Sequence, residues 1–278
     1  MSTDLTPWIA RGYQAHNDGD DETAEASYRK ALEEGEPDAA YYLGDLLVQL
    51  DRAAEGEPLL REVLASGDTD AHIPLGNALW DLERPEEAEE QFRAAVTAGH
   101  PGAHFNLGLL LRDTERFEEA AEMLRVASQD DPEALVELAV MLVEDLEGGD
   151  EAEAERLLSE AIAQGEEDAV IVLATLYVEQ EREEEAEALL RTASDAGSAA
   201  AKIDLANLLS DYDDGTEEAE RLYREAIELG DTDAENNLGA LLADLGRIDE
   251  AKEILRRAAD RGDEYAIENL ATLTAKDN

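Results

Sequence analysis

Three observations predict an all-α fold, an α-solenoid of about eight helix-turn-helix repeats plus a closing helix. A Leu followed by a small residue recurs at Leu43-Gly44, Leu75-Gly76, Leu107-Gly108, Leu138-Ala139, Leu173-Ala174, Leu205-Ala206, Leu238-Gly239 and Leu270-Ala271, at intervals of 31 to 35 residues. Gly35, Gly67, Gly99, Gly165, Gly197, Gly230 and Gly262 keep almost the same intervals, with Asp130 in the one place without glycine. Within most units a second small residue stands twelve positions after the first, as in Gly12 to Ala24, Gly44 to Gly56, Gly76 to Ala88 and Gly239 to Ala251. Small side chains at both places let two helices approach closely, and the apolar residues around them recur at three- and four-residue spacing.

Each unit therefore reads as a first helix carrying the Leu-small pair, a short turn, and a second helix. Arg11-Gly12 supplies the first pair in degenerate form, and the expected repeats are 7–37, 38–69, 70–101, 102–132, 133–167, 168–198, 199–232 and 233–263, closed by a helix over 264–275. Nothing remains for a second domain, so 1–278 is expected to be one solenoid. Glu147-Gly148-Gly149 and Asp213-Asp214-Gly215 lengthen two turns. The second helix should stop at the Gly column, where a left-handed residue ends a helix without steric cost. The following residue, Glu36, Asp68, His100, Asp131, Glu166, Ser198, Asp231 or Asp263, is expected to cap the next helix, with Pro37, Pro101 and Pro132 at its first position.

Composition narrows the function. The 278 residues hold 22 basic and 71 acidic side chains, a formal charge of −49, and no cysteine. Such a surface repels phosphate backbones and anionic lipid, so neither direct nucleic-acid binding nor membrane binding is expected. The absence of cysteine removes disulfides, thiolate nucleophiles and Cys-ligated zinc. No apolar run approaches about 18 residues, and Met1-Ser2-Thr3-Asp4 lacks the basic start of a signal peptide, so the expected location is cytoplasmic.

The columns Trp8-x-x-Arg11-Gly12, Ala24, Tyr28, Ala31, with Leu75-Gly76, Ala88, Phe92, Ala95 and Leu107-Gly108, Ala120, Leu124, Ala127, Pro132, resemble the tetratricopeptide repeat. Junctions such as Ala98-Gly99-His100-Pro101-Gly102-Ala103-His104-Phe105-Asn106 are similar to the related Sel-like repeats, without that family's long Gly-rich loop. The resemblance covers about Pro7 to Ala275. It implies a right-handed superhelix whose first helices line a concave groove that binds protein or peptide segments.

The Leu-small pair faces the partner helix, so residues three before, one after and four after the small residue form a different stripe. By the resemblance this stripe is the groove. Its leading members are Tyr13, Tyr41, Asp45, Ile73, Asn77, Trp80, Phe105, Leu109, Arg112, Val140 and Asn207; Ile9, Val48 and Ile203 share it. The stripe is more apolar than a solvated face, and its aromatics concentrate in the first half, suited to anchoring a partner. Its simpler explanation is burial against neighbouring repeats. Asn106, Asn237 and Asn269 occupy a column two residues before the small residue, from which family members grip an extended peptide backbone; Tyr42, Pro74, Glu137, Val172 and Asp204 interrupt it, and the polar-surface explanation competes. Arg112 is nearly alone as a groove cation, which disfavours capture of an acidic C-terminus.

Catalytic signatures are missing: there is no Gly-x-Ser-x-Gly, no phosphate loop and no Cys, so no enzyme, cofactor or metal is expected. His100 and His104 stand four apart, but a capping column and the column of Trp8 and His72 explain them. Asp211-Tyr212-Asp213-Asp214-Gly215 lacks the spacing of a calcium loop. Acidic runs such as Glu183-Glu184-Glu185 open second helices, where carboxylates meet the positive end of the helix dipole. The expected function is a non-catalytic scaffold binding a protein segment with apolar anchors and basic flanks, the latter selected by Asp45 and Asp81. The alternative is an acidic electrostatic chaperone or antagonist of a basic, nucleic-acid-binding protein; a salt-rich habitat is a further explanation of the charge.

Overall fold

The computed structural model describes residues 6–146, 149–210, 212 and 215–275. Among them are seventeen α-helices, one 3-10 turn at Thr69–Ala71, and no strand. The helices follow the predicted pairs: α1 (Pro7–Asn17) with α2 (Asp21–Glu34), α3 (Ala39–Gln49) with α4 (Ala53–Ala65), α5 (His72–Asp81) with α6 (Pro85–Ala98), and α7 (Ala103–Asp113) with α8 (Phe117–Ala127). Then come α9 (Glu133–Glu144), α10 (Glu151–Gln164), α11 (Asp168–Glu179) with α12 (Glu183–Ala196), α13 (Ala199–Ser210) with α14 (Thr216–Glu228), α15 (Asp233–Asp244) with α16 (Ile248–Asp260), and the closing helix α17 (Glu264–Ala275). By packing, the chain forms two compact units, Met1–Gly149 and Asp150–Asn278.

Small residues set the distance between paired helices. A Cβ on Gly56 would lie 2.6 Å from the carbonyl oxygen of Gly44, so α3 and α4 cross almost backbone to backbone. A Cβ on Gly76 would lie 2.4 Å from Cε1 of Phe92, whose ring lies fully buried in the space the glycine leaves. The leucines of the Leu-small pair, Leu43, Leu75, Leu107, Leu173, Leu205 and Leu238, are all core residues. In the first unit α3 touches α5 and α5 touches α7; in the second α11 touches α13 and α13 touches α15. Second helices of successive repeats approach one another less closely, so within each unit the first helices line the tighter side.

The Gly column terminates second helices as expected: Gly35, Gly99, Gly165 and Gly197 are left-handed C-caps with φ of 71°, 76°, 100° and 105°. The capping expectation needs correction. Asp131, Asp231, Asp263 and Ser198 do accept from backbone N–H groups at the next helix start, and Asp68 accepts from Asp70 N in the 3-10 turn. Glu36 and His100 do not cap. There Asp38 and Gly102, both left-handed, precede α3 and α7, which places Pro37 and Pro101 in the turn rather than in the helix. Pro132 is the residue before α9, and the prolines that do occupy a first helical position are Pro7 and Pro85. Glu147, Gly148, Asp211, Asp213 and Asp214, which carry the two lengthened turns and the calcium-like run, lie outside the described residues.

The turns inside the repeats contain a device that uses five of the chain's eighteen arginines. Arg52, Arg84, Arg116, Arg182 and Arg247 each precede a second helix, and each donates from Nε to the glutamate three residues on: Glu55, Glu87, Glu119, Glu185 and Glu250, at 2.7–2.8 Å. The same guanidinium reaches back 27 residues to the second helix of the preceding repeat, at Glu25, Glu57, Glu89, Glu155 and Glu220, at 2.7–2.8 Å. These hydrogen bonds hold Glu87, Glu119, Glu185 and Glu250 below the ordinary carboxylate range. Their stabilisation is therefore fully present above the ordinary range and is lost as the pH falls from there through the depressed folded values. The pattern lapses in both members once: Asp150 stands in the arginine column and Ala121 in the glutamate column.

The residue before each of these arginines is left-handed. Asp51, Glu83, Glu115 and Glu181 have φ between 56° and 60°, whereas Gly246 fills the same position before Arg247 with φ of 74°. A side chain with a Cβ is strained there. Glu83→Gly, Glu115→Gly and Glu181→Gly are each expected to stabilise the fold by about 0.5–1 kcal/mol, net of the extra freedom glycine gives the unfolded chain. Thermal melts of the single variants check this, and a loss of stability in any of them contradicts it.

Candidate partner-binding surface

The first-helix stripe divides sharply by burial. Ile9, Val48 and Ile203 are core residues, so the burial explanation holds for them. Tyr13 remains 48% exposed, Asn207 is exposed, and Tyr41, Asp45, Ile73, Asn77, Trp80, Phe105, Asn106, Leu109, Arg112, Val140 and Asn237 are half-buried. Of these, Tyr13 through Val140 belong to the first unit, and Asn207 and Asn237 to the second.

Tyr13, Tyr41 and Asp45 come together. They line a cavity of about 520 Å³ between α1 and α3, joined by His16, Tyr28 and Tyr42. Tyr42 stacks on Tyr28 with centroids 5.5 Å apart and meets Tyr41 edge to face at the same separation. Burial pushes the Tyr28 hydroxyl up to about 12 and raises Tyr41 further, so both stay protonated as donors. Asp45 accepts a hydrogen bond from Gln49 Nε2 at 2.9 Å, and burial raises its carboxyl above the ordinary value against the opposing pull of Gln49 and His16. A carboxylate so placed favours the folded state most when protonated; that stability is present below its unfolded pKa and is lost as the pH rises through the raised folded value. Asp45→Asn keeps the Gln49 contact and removes the desolvated charge. It is expected to raise the melting temperature at pH 7, with the gain shrinking on acidification; a lower melting temperature at pH 7 contradicts this.

Trp80 is pinned at the other end of α5: its indole N–H donates to Asp113 Oδ2 at 2.8 Å, and its ring meets Phe92 edge to face at 6.5 Å. Phe105 lines a separate crevice of about 490 Å³ at the junction of the third and fourth repeats, with His104, Val126 and Asp131. Asp81 lies away from Asp45, beside Asp51 at the turn edge, where burial and Asp51 raise its carboxyl. Arg112 is held by Asp145 at 2.6 Å, Glu137 at 3.1 Å and Glu144 at 3.3 Å, so its charge is engaged within the unit. Asn106 is spent on the carbonyl of Gly102 at 3.0 Å.

In the second unit the asparagines form a connected chain. Tyr223 Oη donates to Asn207 Oδ1 at 2.7 Å, Asn237 Nδ2 donates to the same oxygen at 3.1 Å, Asn236 Nδ2 donates to Asn237 Oδ1 at 3.3 Å, and Asn269 Nδ2 donates to Asn236 Oδ1 at 2.9 Å. Their amides already bond across repeats. A crevice of about 440 Å³ in this unit, lined by Ile162, Val170 and Leu189, contains none of the residues expected from sequence. His100 contacts Thr69 and Asp70, and among the described residues no three acidic or His side chains converge on a metal-sized site. No described helix is long and apolar enough to cross a membrane.

Sequence reasoning missed the arginine column and the enclosure of Asp45. The first had a signal: Arg52, Arg84 and Arg116 keep the 32-residue period. The second had none, because Tyr28 and Tyr42 belong to columns read as inter-helix packing and peptide-facing polar positions.

Paired helices, a repeating Leu-small contact and inner first helices define a helical-repeat protein. The chain belongs to the tetratricopeptide repeat family, whose models match residues 10–71, 73–134 and 236–262, together more than half of it. Among solved structures it is similar to yeast Tom70, with a TM-score of 0.71 and 15% identity over 93% of this chain; the match spans 61% of the Tom70 chain. It is also similar to a Sel1 repeat protein from Oxalobacter formigenes, with a TM-score of 0.55 and 19% identity over 79% of this chain and 96% of that one. A tetratricopeptide repeat protein from Parabacteroides merdae gives 0.55 and 18% over 80% and 92%. No curated protein matches the chain.

Proposed function

We propose that this chain is a non-catalytic scaffold or adaptor that binds a segment of a partner protein along the first-helix face of its N-terminal unit. The observation carrying this reading is the exposure contrast on that face. Leu43, Leu75 and Leu107 are sealed in the core, while Tyr13, Tyr41, Ile73, Trp80, Phe105, Leu109 and Val140 keep part of their surface in water. Half-exposed aromatics in crevices, set in an acidic body, suit a segment with apolar anchors and basic flanks. Neither nucleic acid nor a lipid surface complements a formal charge of −49.

The alternative, an electrostatic chaperone or antagonist of a basic protein, draws support from that charge alone. Affinity capture separates the two. The full chain, its Trp80→Ala/Phe105→Ala variant and a Glu90→Lys/Glu122→Lys variant with reversed charges on second helices serve as baits. Groove binding predicts a partner lost from the first variant and kept by the second; the reverse pattern supports the electrostatic alternative.

A further inference from the structure

We infer that the tyrosine-walled cavity between α1 and α3 is a socket for one arginine side chain of the bound segment, a specificity that rests on the groove reading above for its place in the protein. Four tyrosines from three helices surround it. Tyr13 comes from α1, Tyr28 from α2, and Tyr41 and Tyr42 from α3, with the last three rings locked at 24° and 89° to one another. Tyr28 is buried and backs Tyr42 by stacking, and rings held at fixed angles can meet a cation without losing rotamer freedom on binding. The volume of about 520 Å³ accommodates a guanidinium and its methylene stem.

Asp45 supplies the charge. Among the described residues no Lys or Arg is ion-paired to it, although Arg52, Arg84 and Arg116 in this unit make two glutamate pairs apiece. Its side-chain hydrogen bond comes from the neutral amide of Gln49, leaving acceptor capacity on the carboxylate. His16, which lines the same cavity, is engaged with Asp21 at 2.8 Å. A half-buried carboxylate without a cation is a standing cost that an incoming cation offsets. Asp68 and Asp70 add negative potential at Tyr41, so the site repels anions.

Geometry favours arginine over lysine. A planar guanidinium stacks on an aromatic face while its N–H fork reaches a carboxylate and phenolic oxygens, whereas an ammonium is a compact, strongly hydrated charge. One carboxylate and an engaged histidine do not make a metal site.

The test uses the full chain with ring-labelled tyrosine and three small probes, N-acetyl-arginine amide, its lysine counterpart and its neutral citrulline counterpart, titrated by NMR. Asp204, a second half-buried carboxylate whose crevice has no aromatic wall, provides the control. Arginine amide is expected to produce saturable shifts in the Tyr13, Tyr41 and Tyr42 rings. Citrulline should bind at least about tenfold more weakly, as should arginine to Asp45→Asn, while Asp204→Asn leaves the affinity unchanged. Tyr41→Leu, which keeps an apolar wall and loses the π-face, should also weaken binding. No saturable arginine binding, equal affinity for citrulline, lysine favoured over arginine, or an unchanged affinity in Asp45→Asn each overturns the socket. Retention of arginine together with full partner binding by Trp80→Ala/Phe105→Ala refutes the groove and leaves the socket standing.

Discussion

Phe92→Ala is expected to destabilise the N-terminal unit by about 3–5 kcal/mol, the range for emptying a buried aromatic site. The ring is fully buried and fills the space left by the missing side chain of Gly76. Truncation removes the edge contact with Trp80 and leaves a hole bounded by two helix backbones that cannot collapse further. Other repeats indicate the tolerated alternatives. The pairs Gly44/Leu60, Gly108/Leu124 and Gly239/Leu255 place leucine against the same glycine, with Cβ positions 2.5–2.8 Å from leucine Cγ. Phe92→Leu should therefore cost less than about 1.5 kcal/mol. Gly76→Ala alone should cost about 1–3 kcal/mol by overpacking, and its cost should fall when Phe92→Leu is already present. Chemical denaturation of the four proteins measures the coupling. Additive costs would mean that the two residues do not share the space between α5 and α6.

Removing Trp80 and Phe105 together is expected to weaken partner binding by about 2–4 kcal/mol, as for aromatic hot spots in desolvated crevices. Trp80 is preorganised by Asp113 and Phe92, so a partner meets a ring whose freedom is already lost. Phe105 stands in its own crevice beside Val126 and His104, which gives a bound segment a second anchor. Because Trp80→Ala also opens a contact with the core, binding must be compared at temperatures where circular dichroism shows both proteins fully helical. Undiminished affinity there removes both residues from the interface.

The repeat register was legible because close helix approach selects small residues, with no room even for a Cβ at Gly44 and Gly56, and because left-handed helix ends select glycine, as at Gly35 and Gly99. The caps were less so. Glu36 and Asp38 are both acidic neighbours of Pro37, and only the backbone geometry shows that the left-handed residue before α3 is Asp38. Which stripe residues stay exposed was also hidden. Ile9 and Tyr13 share the stripe, yet Ile9 is sealed in the core and Tyr13 stands in water, a difference set by the packing of neighbouring helices. The net charge was the least informative number, since arginine bonds to Glu25, Glu57 and Glu89 knit one repeat to the next. The socket around Asp45 depends on Tyr28, a core column residue whose ring nonetheless reaches the cavity wall.

The most direct measurement of the groove is the affinity of a captured partner segment for the native chain and for Trp80→Ala/Phe105→Ala across a salt series from about 0.1 to 1 M, over which the screening length falls from about 10 to 3 Å. Binding in the groove predicts a modest decline for the native chain and a large, salt-independent deficit for the double variant. Binding that collapses with salt and is equal for the two proteins would contradict it, and would assign the interaction to the acidic surface instead.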